Sequence, residues 1–158
     1  IGKREIMESV QSTFISSTFW TERIGPTAAL ACLAEMERIK SWKVISEKGK
    51  FIKFRWQKLA QKHQIPLRIQ GLDAIPSFLI EGDNWLEKKT LITQEMLKKN
   101  ILASNLFYPS VLHESGHFER YFEVLDQIFD LINRYPEKQE IVSLLQGPVC
   151  HSGFQRLN

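Results

Sequence analysis

The strongest pattern in the sequence is a series of apolar residues between positions 118 and 132. They recur every three or four residues, which places side chains on one face of an α-helix; they are Phe118, Tyr121, Phe122, Leu125, Ile128, Phe129 and Ile132. This spacing predicts an amphipathic helix over about residues 116–134, with Ser115 as its N-cap. A helix with one broad apolar face must pack against other elements, so we expect a core built around it.

Weaker patterns predict the remaining elements. Further helices are predicted from the same spacing over residues 5–10, 26–39, 44–63, 90–100 and 136–145. Strands are predicted over residues 66–71 and 76–81, which could pair as a hairpin, over residues 101–103, and over residues 14–20, where the strand runs into a loop. Cys32, within the alanine-rich helix, is expected in the core. Helices covering one side of a small, mainly antiparallel sheet make an α+β fold.

Composition and charge exclude several classes of function. Of the 158 residues, 43% are hydrophobic and 25% are charged, which is enough apolar material for a core and argues against disorder. The formal charge is +3 and the lysines are dispersed, so no nucleic-acid footprint is present. No apolar run approaches the roughly 20 residues that span a bilayer, and no signal peptide is present. Cys32 and Cys150 form no C-x-x-C pattern, which fits a reducing cytoplasm. Together these observations lead us to expect a cytoplasmic protein without nucleic-acid or membrane partners.

Residues 113–117 match the pattern H-E-x-x-H. In this pattern two histidines on one helical face bind zinc, and the glutamate acts as a general base. Against it, Pro109 lies just upstream, and Ser115 with Gly116 is typical of a helix start, which would leave His113 outside the helix. Two interpretations stay open, a zinc metallopeptidase site and a pair of loop and cap histidines.

The stretch from residue 16 to residue 30 resembles a segment of class III aminotransferases, which use pyridoxal 5'-phosphate (PLP). It carries a Ser-Ser-Thr-aromatic sequence that leads through Gly25 and Pro26 into an alanine-rich helix. Residues 2–7 are similar to the Gly-(Lys/Arg)-x-Glu-(Ile/Leu)-Met segment just upstream in that family. Further counterparts lie around Trp56 and at residues 72–78, 96–102 and 113–118. Because residues 105–114 contain no arginine as a carboxylate clamp, the branch with glutamate-1-semialdehyde aminomutase is the nearer one.

The resemblance implies a fold, a cofactor and a site. Residues 1–42 would end the PLP-binding large domain of a fold-type I transferase, and residues 43–158 would form its small C-terminal domain. In a homodimer, the hydroxyl of Thr18, helped by the backbone of Ser17, would bind the cofactor phosphate of the partner subunit. The longer connection over residues 20–26 would face the partner's active site, so Trp20, Glu22 and Arg23 are candidates for substrate choice, with a place in the dimer interface or in solvent as the alternative.

The resemblance also implies what the chain lacks. Transamination between an amino donor and a carbonyl acceptor needs a lysine that holds PLP as a Schiff base, and the family has it upstream of the position of Ile1. Since the chain begins with Ile1 and not with Met, we expect a piece of a longer enzyme that is inactive by itself. A non-enzymatic interaction domain is the remaining alternative.

Overall fold

The computed structural model describes residues 2–13 and 22–153 and divides the chain into two units, Ile1–Ile39 and Lys40–Asn158. The first unit contains helix α1 (Arg4–Ser9), a short 3-10 turn (Val10–Ser12) and helix α2 (Ile24–Ile39). The strand predicted over residues 14–20 lies outside the described residues. The division of the chain into a large-domain end and a small domain stays a prediction.

Helix α2 exposes its apolar residues. Ile24 is 73% exposed and Leu30 is 70% exposed, and Cys32 is exposed as well. The expectation that Cys32 is a core residue is therefore wrong for this chain. Among the described residues, the first unit offers only α1 and one turn besides α2, which is too little structure to cover an apolar helical face.

The second unit contains four helices and two strands among its described residues. They are α3 (Ser41–Lys62), β1 (Leu67–Gln70), β2 (Ser77–Ile80), α4 (Trp85–Lys98), α5 (Ser115–Arg134) and α6 (Lys138–Leu144). The predicted α+β class is confirmed. Helix α4 begins earlier than predicted because its first turn buries Glu87 and Lys88, polar residues that interrupt an apolar spacing. Glu87 is bound by Lys138 on α6 at 2.9 Å.

The two strands form the predicted hairpin. They pair antiparallel, with Leu67 opposite Ile80 and Gln70 opposite Ser77. Gly71 leaves β1 with a φ of 78°, a left-handed conformation that glycine adopts without strain, and a Cβ there would meet the Ile75 carbonyl oxygen at 2.5 Å.

The predicted third strand, over residues 101–103, is wrong. The Ile101 amide donates to the Met96 carbonyl at 3.0 Å, so these residues close the end of α4 instead of joining the sheet. The chain reaches the free edge of β2 only afterwards, where the Phe78 amide donates to the Asn105 carbonyl at 3.0 Å. A single bridge, between Ser77 and Leu106, replaces a strand.

The core lies between α3, the hairpin, α4 and α5. All seven residues of the spacing that predicted α5 are buried, so that prediction is confirmed. Trp56 of α3 lies at the centre, fully buried, with its ring 4.9 Å from that of Phe78 in an edge-to-face arrangement. Its Nε1–H donates to the hydroxyl of Tyr121 at 2.9 Å. This bond satisfies a buried indole donor that would otherwise be costly.

Helix α3 also approaches the turn of the hairpin very closely. A Cβ built on Gly49 would lie 1.6 Å from the backbone carbonyl oxygen of Asp73. Lys53, one turn further along α3, donates to the carbonyl of Gly71 at 2.9 Å and to the Asp73 carboxylate at 2.8 Å. Glycine at position 49 thus allows the helix to contact the turn, and the hydrogen bonds of Lys53 stabilise this contact.

An ion cluster joins the end of α3 to α5. The Asp126 carboxylate accepts from Lys62 Nζ at 2.6 Å and lies 2.5 Å from His63 Nε2. Burial by itself raises the pKa of Asp126, but the hydrogen bonds with His63 and Lys62 outweigh it and hold this pKa below its usual range. The carboxylate form is therefore favoured by folding.

Replacing Asp126 by asparagine is expected to lower the free energy of unfolding at pH 7, because the carboxylate loses its charge interactions with Lys62 and His63. The loss should be only about 1 kcal/mol, since these groups are partly exposed and solvent screens them. A carboxyl whose pKa is lowered by folding stabilises the fold above its unfolded-state pKa, here 3.8. The difference between the parent chain and Asp126→Asn should therefore shrink as the pH falls below 3.8. Urea unfolding from pH 7 to pH 3 measures this, and a difference that does not change with pH would contradict it.

Helix α5 keeps its apolar residues on the face that packs inward and its charged residues on the other face. Helix α5 buries its aromatic and aliphatic side chains but exposes Glu119, Arg120 and Glu123. Within the described ranges of the chain, no helix is both long and apolar enough to cross a membrane.

Candidate functional site

The residues that the sequence assigned to cofactor phosphate, Ser17 and Thr18, lie outside the described residues, as does Trp20. Of the residues proposed for substrate choice, Glu22 and Arg23 are described, and both are exposed just before α2. The site built below therefore belongs to the second unit alone.

The H-E-x-x-H sequence straddles the start of α5. Glu114, with extended backbone (φ −104°, ψ 170°), is the N-cap, and Ser115 is the first helical residue. The prediction of Ser115 as N-cap is wrong by one residue. The reason is His117, at the third helical position, whose Nδ1 accepts from the Glu114 amide at 3.0 Å, as glutamate does in a capping box.

The two histidines do not form the helical zinc arrangement. His113 precedes the helix, and its Nδ1 accepts from the Ser110 amide at 2.9 Å. The imidazole centres of His113 and His117 lie 6.0 Å apart. Across the part of the chain that the structure describes, no three His, Cys, Asp or Glu residues are grouped to hold a metal ion. The loop-and-cap interpretation of these histidines agrees with this geometry, and the zinc-helix interpretation does not.

Both imidazoles line a pocket of about 380 Å³. It lies between the connecting segment, residues 99–114, and the first turns of α5. Its apolar lining residues include Ile101, Leu102, Leu106 and Phe107, and its polar ones include Tyr108, His113, His117 and Arg120. Since Nδ1 of each histidine accepts from a backbone amide, the proton of each neutral ring is on Nε2.

The connecting segment has little regular structure, but two cationic side chains fix its ends. Lys48 of α3 donates to the carbonyls of Ser110, Val111 and His113, at 3.0, 2.8 and 2.6 Å. Arg120 of α5 donates to the Lys99 carbonyl at 2.7 Å. The pocket wall is therefore held by hydrogen bonds from helices on both sides.

The protonation states of the residues that line the pocket follow from burial and from nearby charges. Burial lowers the pKa of His113, repulsion from His117 whenever that ring is protonated lowers it further, and so does the positive charge of Lys48, so the His113 ring is neutral at pH 7. Burial raises the pKa of Tyr121 far above its ordinary value, although the Trp56 bond opposes this effect, and the phenol stays protonated. Arg120 is the permanent charge among the residues that line the pocket.

Sequence reasoning noted the histidines but missed Lys48 and Arg120. Lys48 looked like one of several solvated lysines on α3, and its contacts lie 62 to 65 residues further along the chain. Arg120 could have been found, since positions 117 and 120 are three residues apart, the spacing that brings side chains together on one face of a helix.

A comparison with models of protein families found no match, and a comparison with curated proteins found none either. Among solved structures, the chain is similar to the structure of the PLP internal aldimine form of the FumI protein of Sphingopyxis sp. MTA144. The TM-score is 0.74 at 16% sequence identity, and the match covers 85% of this chain and 33% of that chain. The chain thus spans about a third of the length of that protein. At this identity the similarity shows the fold, which is that of one part of a protein solved with PLP.

Proposed function

We propose that this chain is the C-terminal portion of a PLP-dependent aminotransferase, which moves an amino group between an amino acid or amine and a carbonyl compound. The observation that carries the proposal is the fold similarity, at a TM-score of 0.74 over 85% of the chain, to one third of a PLP protein. The class III resemblance of residues 2–7 and 16–30 supports the narrower assignment.

In this proposal PLP supplies the electron sink for chemistry beside an amino group, and the chain supplies part of its binding site. Thr18 would donate a hydrogen bond from its hydroxyl to the cofactor phosphate of the partner subunit, and the Ser17 amide would donate a second one beside it. A phosphate dianion is bound well by such donors when they are positioned at a turn. In the proposed enzyme the Schiff-base lysine lies outside these 158 residues, which by themselves would not catalyse transamination.

The surface of the first unit supports a larger enzyme. Leu33 and Met36 extend the exposed apolar face of α2 that begins with Ile24 and Leu30. Exposed apolar surface of this kind usually packs against another domain or subunit. In the proposed enzyme a large domain and the second subunit of a homodimer cover this face.

Replacing Thr18 by alanine in the longer enzyme is expected to weaken PLP binding about 10- to 100-fold, because a hydrogen bond to a charged group contributes about 1.5–3 kcal/mol. Equilibrium dialysis of PLP measures the change, and Thr18→Ser should bind nearly as the parent does. The matched control is Thr13→Ala, since the Thr13 hydroxyl is bonded to the Val10 carbonyl at 2.8 Å. Equal affinities of Thr18→Ala and the parent would remove Thr18 from the phosphate site.

The experiment that tests the proposal as a whole is to sequence the coding DNA immediately upstream of Ile1. An in-frame extension that encodes an aspartate-bearing strand, and then a lysine followed by a Gly-Pro-type turn, supports an aminotransferase. A start codon close to Ile1 leaves no place for the lysine and overturns the proposal. The interaction-domain alternative would then be tested by isolating the chain from its native cell together with a bound protein.

A further inference from the structure

Three polar residues that line the pocket at the start of α5 present hydrogen-bond donors. The guanidinium of Arg120 carries five N–H donors, and within the described residues one of these nitrogens is bonded, to the Lys99 carbonyl. The imidazoles of His113 and His117 use Nδ1 as an acceptor and so present Nε2–H. Three residues that carry donor groups therefore line a single cavity.

The charge of Arg120 is not neutralised within the described part of the chain. The residues that line the pocket include no carboxylate. Its sequence neighbour Glu119 lines a different pocket, together with Phe51 and Arg55. Arg134, near the other end of the same helix, is by contrast paired with Asp130. The guanidinium of Arg120 thus has no carboxylate of the described chain paired with it, and two neutral imidazole donors line the same pocket. Such a set of donors is suited to a singly charged carboxylate.

The apolar wall of the pocket belongs to the connecting segment. Leu102, at the pocket, is 93% exposed, so its side chain is available to cover an apolar ligand. Phe107 forms the inner part of this wall, with its ring 5.1 Å from that of Tyr121. A volume of about 380 Å³ is in the range of pockets that hold small molecules.

We propose that this pocket binds a small carboxylic acid with an apolar body, with Arg120, His113 and His117 on the carboxylate and Leu102 and Phe107 on the body. A single carboxylate matches one fixed charge better than a phosphate dianion does, and the apolar wall adds affinity that an inorganic anion cannot obtain. The inference does not depend on the proposed function, because it requires residues of the second unit alone.

Isothermal titration calorimetry of the 158-residue chain with 3-phenylpropanoate tests the proposal. At about 0.4 kcal/mol per non-hydrogen atom, an acid of this size is expected to bind with a dissociation constant on the order of 0.1–1 mM. Arg120→Gln should weaken binding at least about tenfold, since a charge-assisted hydrogen bond is lost. Arg134→Gln is the matched control, with the same substitution on the same helix, and should bind as the parent does.

Two further variants separate ligand contacts from a displaced segment, since Arg120 also holds the Lys99 carbonyl. Arg120→Lys keeps the charge and should recover part of the affinity. Leu102→Ala removes an exposed side chain that the fold does not need and should weaken binding about two- to threefold. The uncharged 3-phenylpropanamide and inorganic phosphate should both bind at least tenfold more weakly than the acid.

The proposal is overturned if the amide binds as well as the acid, or if Arg120→Gln and Arg134→Gln bind alike. Tighter binding of inorganic phosphate than of the acid would also overturn it, because the apolar wall would then contribute nothing. The proposal is also overturned if the acid gives no heat of binding up to 20 mM, about twenty times the largest dissociation constant expected.

Discussion

Replacing Trp56 by alanine is expected to lower the free energy of unfolding by about 3–5 kcal/mol, the cost of removing a large aromatic side chain from a core. Trp56 is fully buried, and its ring packs edge-to-face on Phe78. Its removal leaves a cavity between α3 and the hairpin. It also removes the hydrogen bond that the buried Tyr121 hydroxyl accepts from the indole. Urea unfolding of the 158-residue chain, followed by circular dichroism, measures the change.

Trp42→Ala is the matched control, because the same side chain on the same helix is 48% exposed there and should cost less than about 1 kcal/mol. The hydrogen bond can be separated from the packing with Trp56→Phe, which leaves the Tyr121 hydroxyl unsatisfied. Adding Tyr121→Phe removes that hydroxyl and should recover about 1 kcal/mol. A loss for Trp56→Ala no greater than that for Trp42→Ala would contradict the central position of Trp56.

An alanine in place of Gly49 is expected to destabilise the chain by about 3 kcal/mol, at the upper end of the range for overpacked interiors. The added methyl would lie 1.6 Å from the Asp73 carbonyl oxygen, a backbone atom that cannot rotate away. Either α3 or the turn of the hairpin must move, and the Lys53–Asp73 bond would be strained with it. Denaturant unfolding gives the size of the loss.

Gly116→Ala provides the comparison, since it is the same substitution in the first turn of another helix. Apart from its chain neighbours and the backbone of its own helix, no atom lies within 4 Å of a Cβ built at Gly116. Because alanine favours the helix over glycine, this variant should be neutral or up to about 1 kcal/mol more stable. If both alanine variants changed stability equally, the close approach of α3 to Asp73 would not exist in solution.

The sequence was sufficient for the elements whose pattern is carried by apolar side chains. Helix α5 was predictable because its seven regularly spaced apolar residues are all buried in the core. The hairpin was predictable because two short apolar runs flank turn residues. The same reasoning failed for Cys32, because α2 has the spacing of a packed helix but no neighbour within the described first unit covers it. Periodicity shows which face is apolar and not what lies against it.

The pocket was harder to predict than the helices. His113 and His117 attracted notice through a zinc pattern, yet the structure uses their Nδ1 atoms to accept from backbone amides. Lys48 could not be assigned from the sequence, since a lysine on a helix surface has the same local pattern whether it faces water or the backbone of a distant segment. Its role depends on the tertiary packing that brings residues 110–113 beside α3.

The ties of Lys48 and Arg120 to backbone carbonyls have a consequence for how this protein can diversify. Because the anchors act on carbonyl oxygens, which every amino acid possesses, they are indifferent to the identity of most side chains in the connecting segment. Leu102 and Tyr108, both exposed, can therefore be exchanged during evolution without loss of the scaffold. In the proposed carboxylate site, such a wall would allow the ligand preference to change while the hydrogen-bonded backbone stays the same.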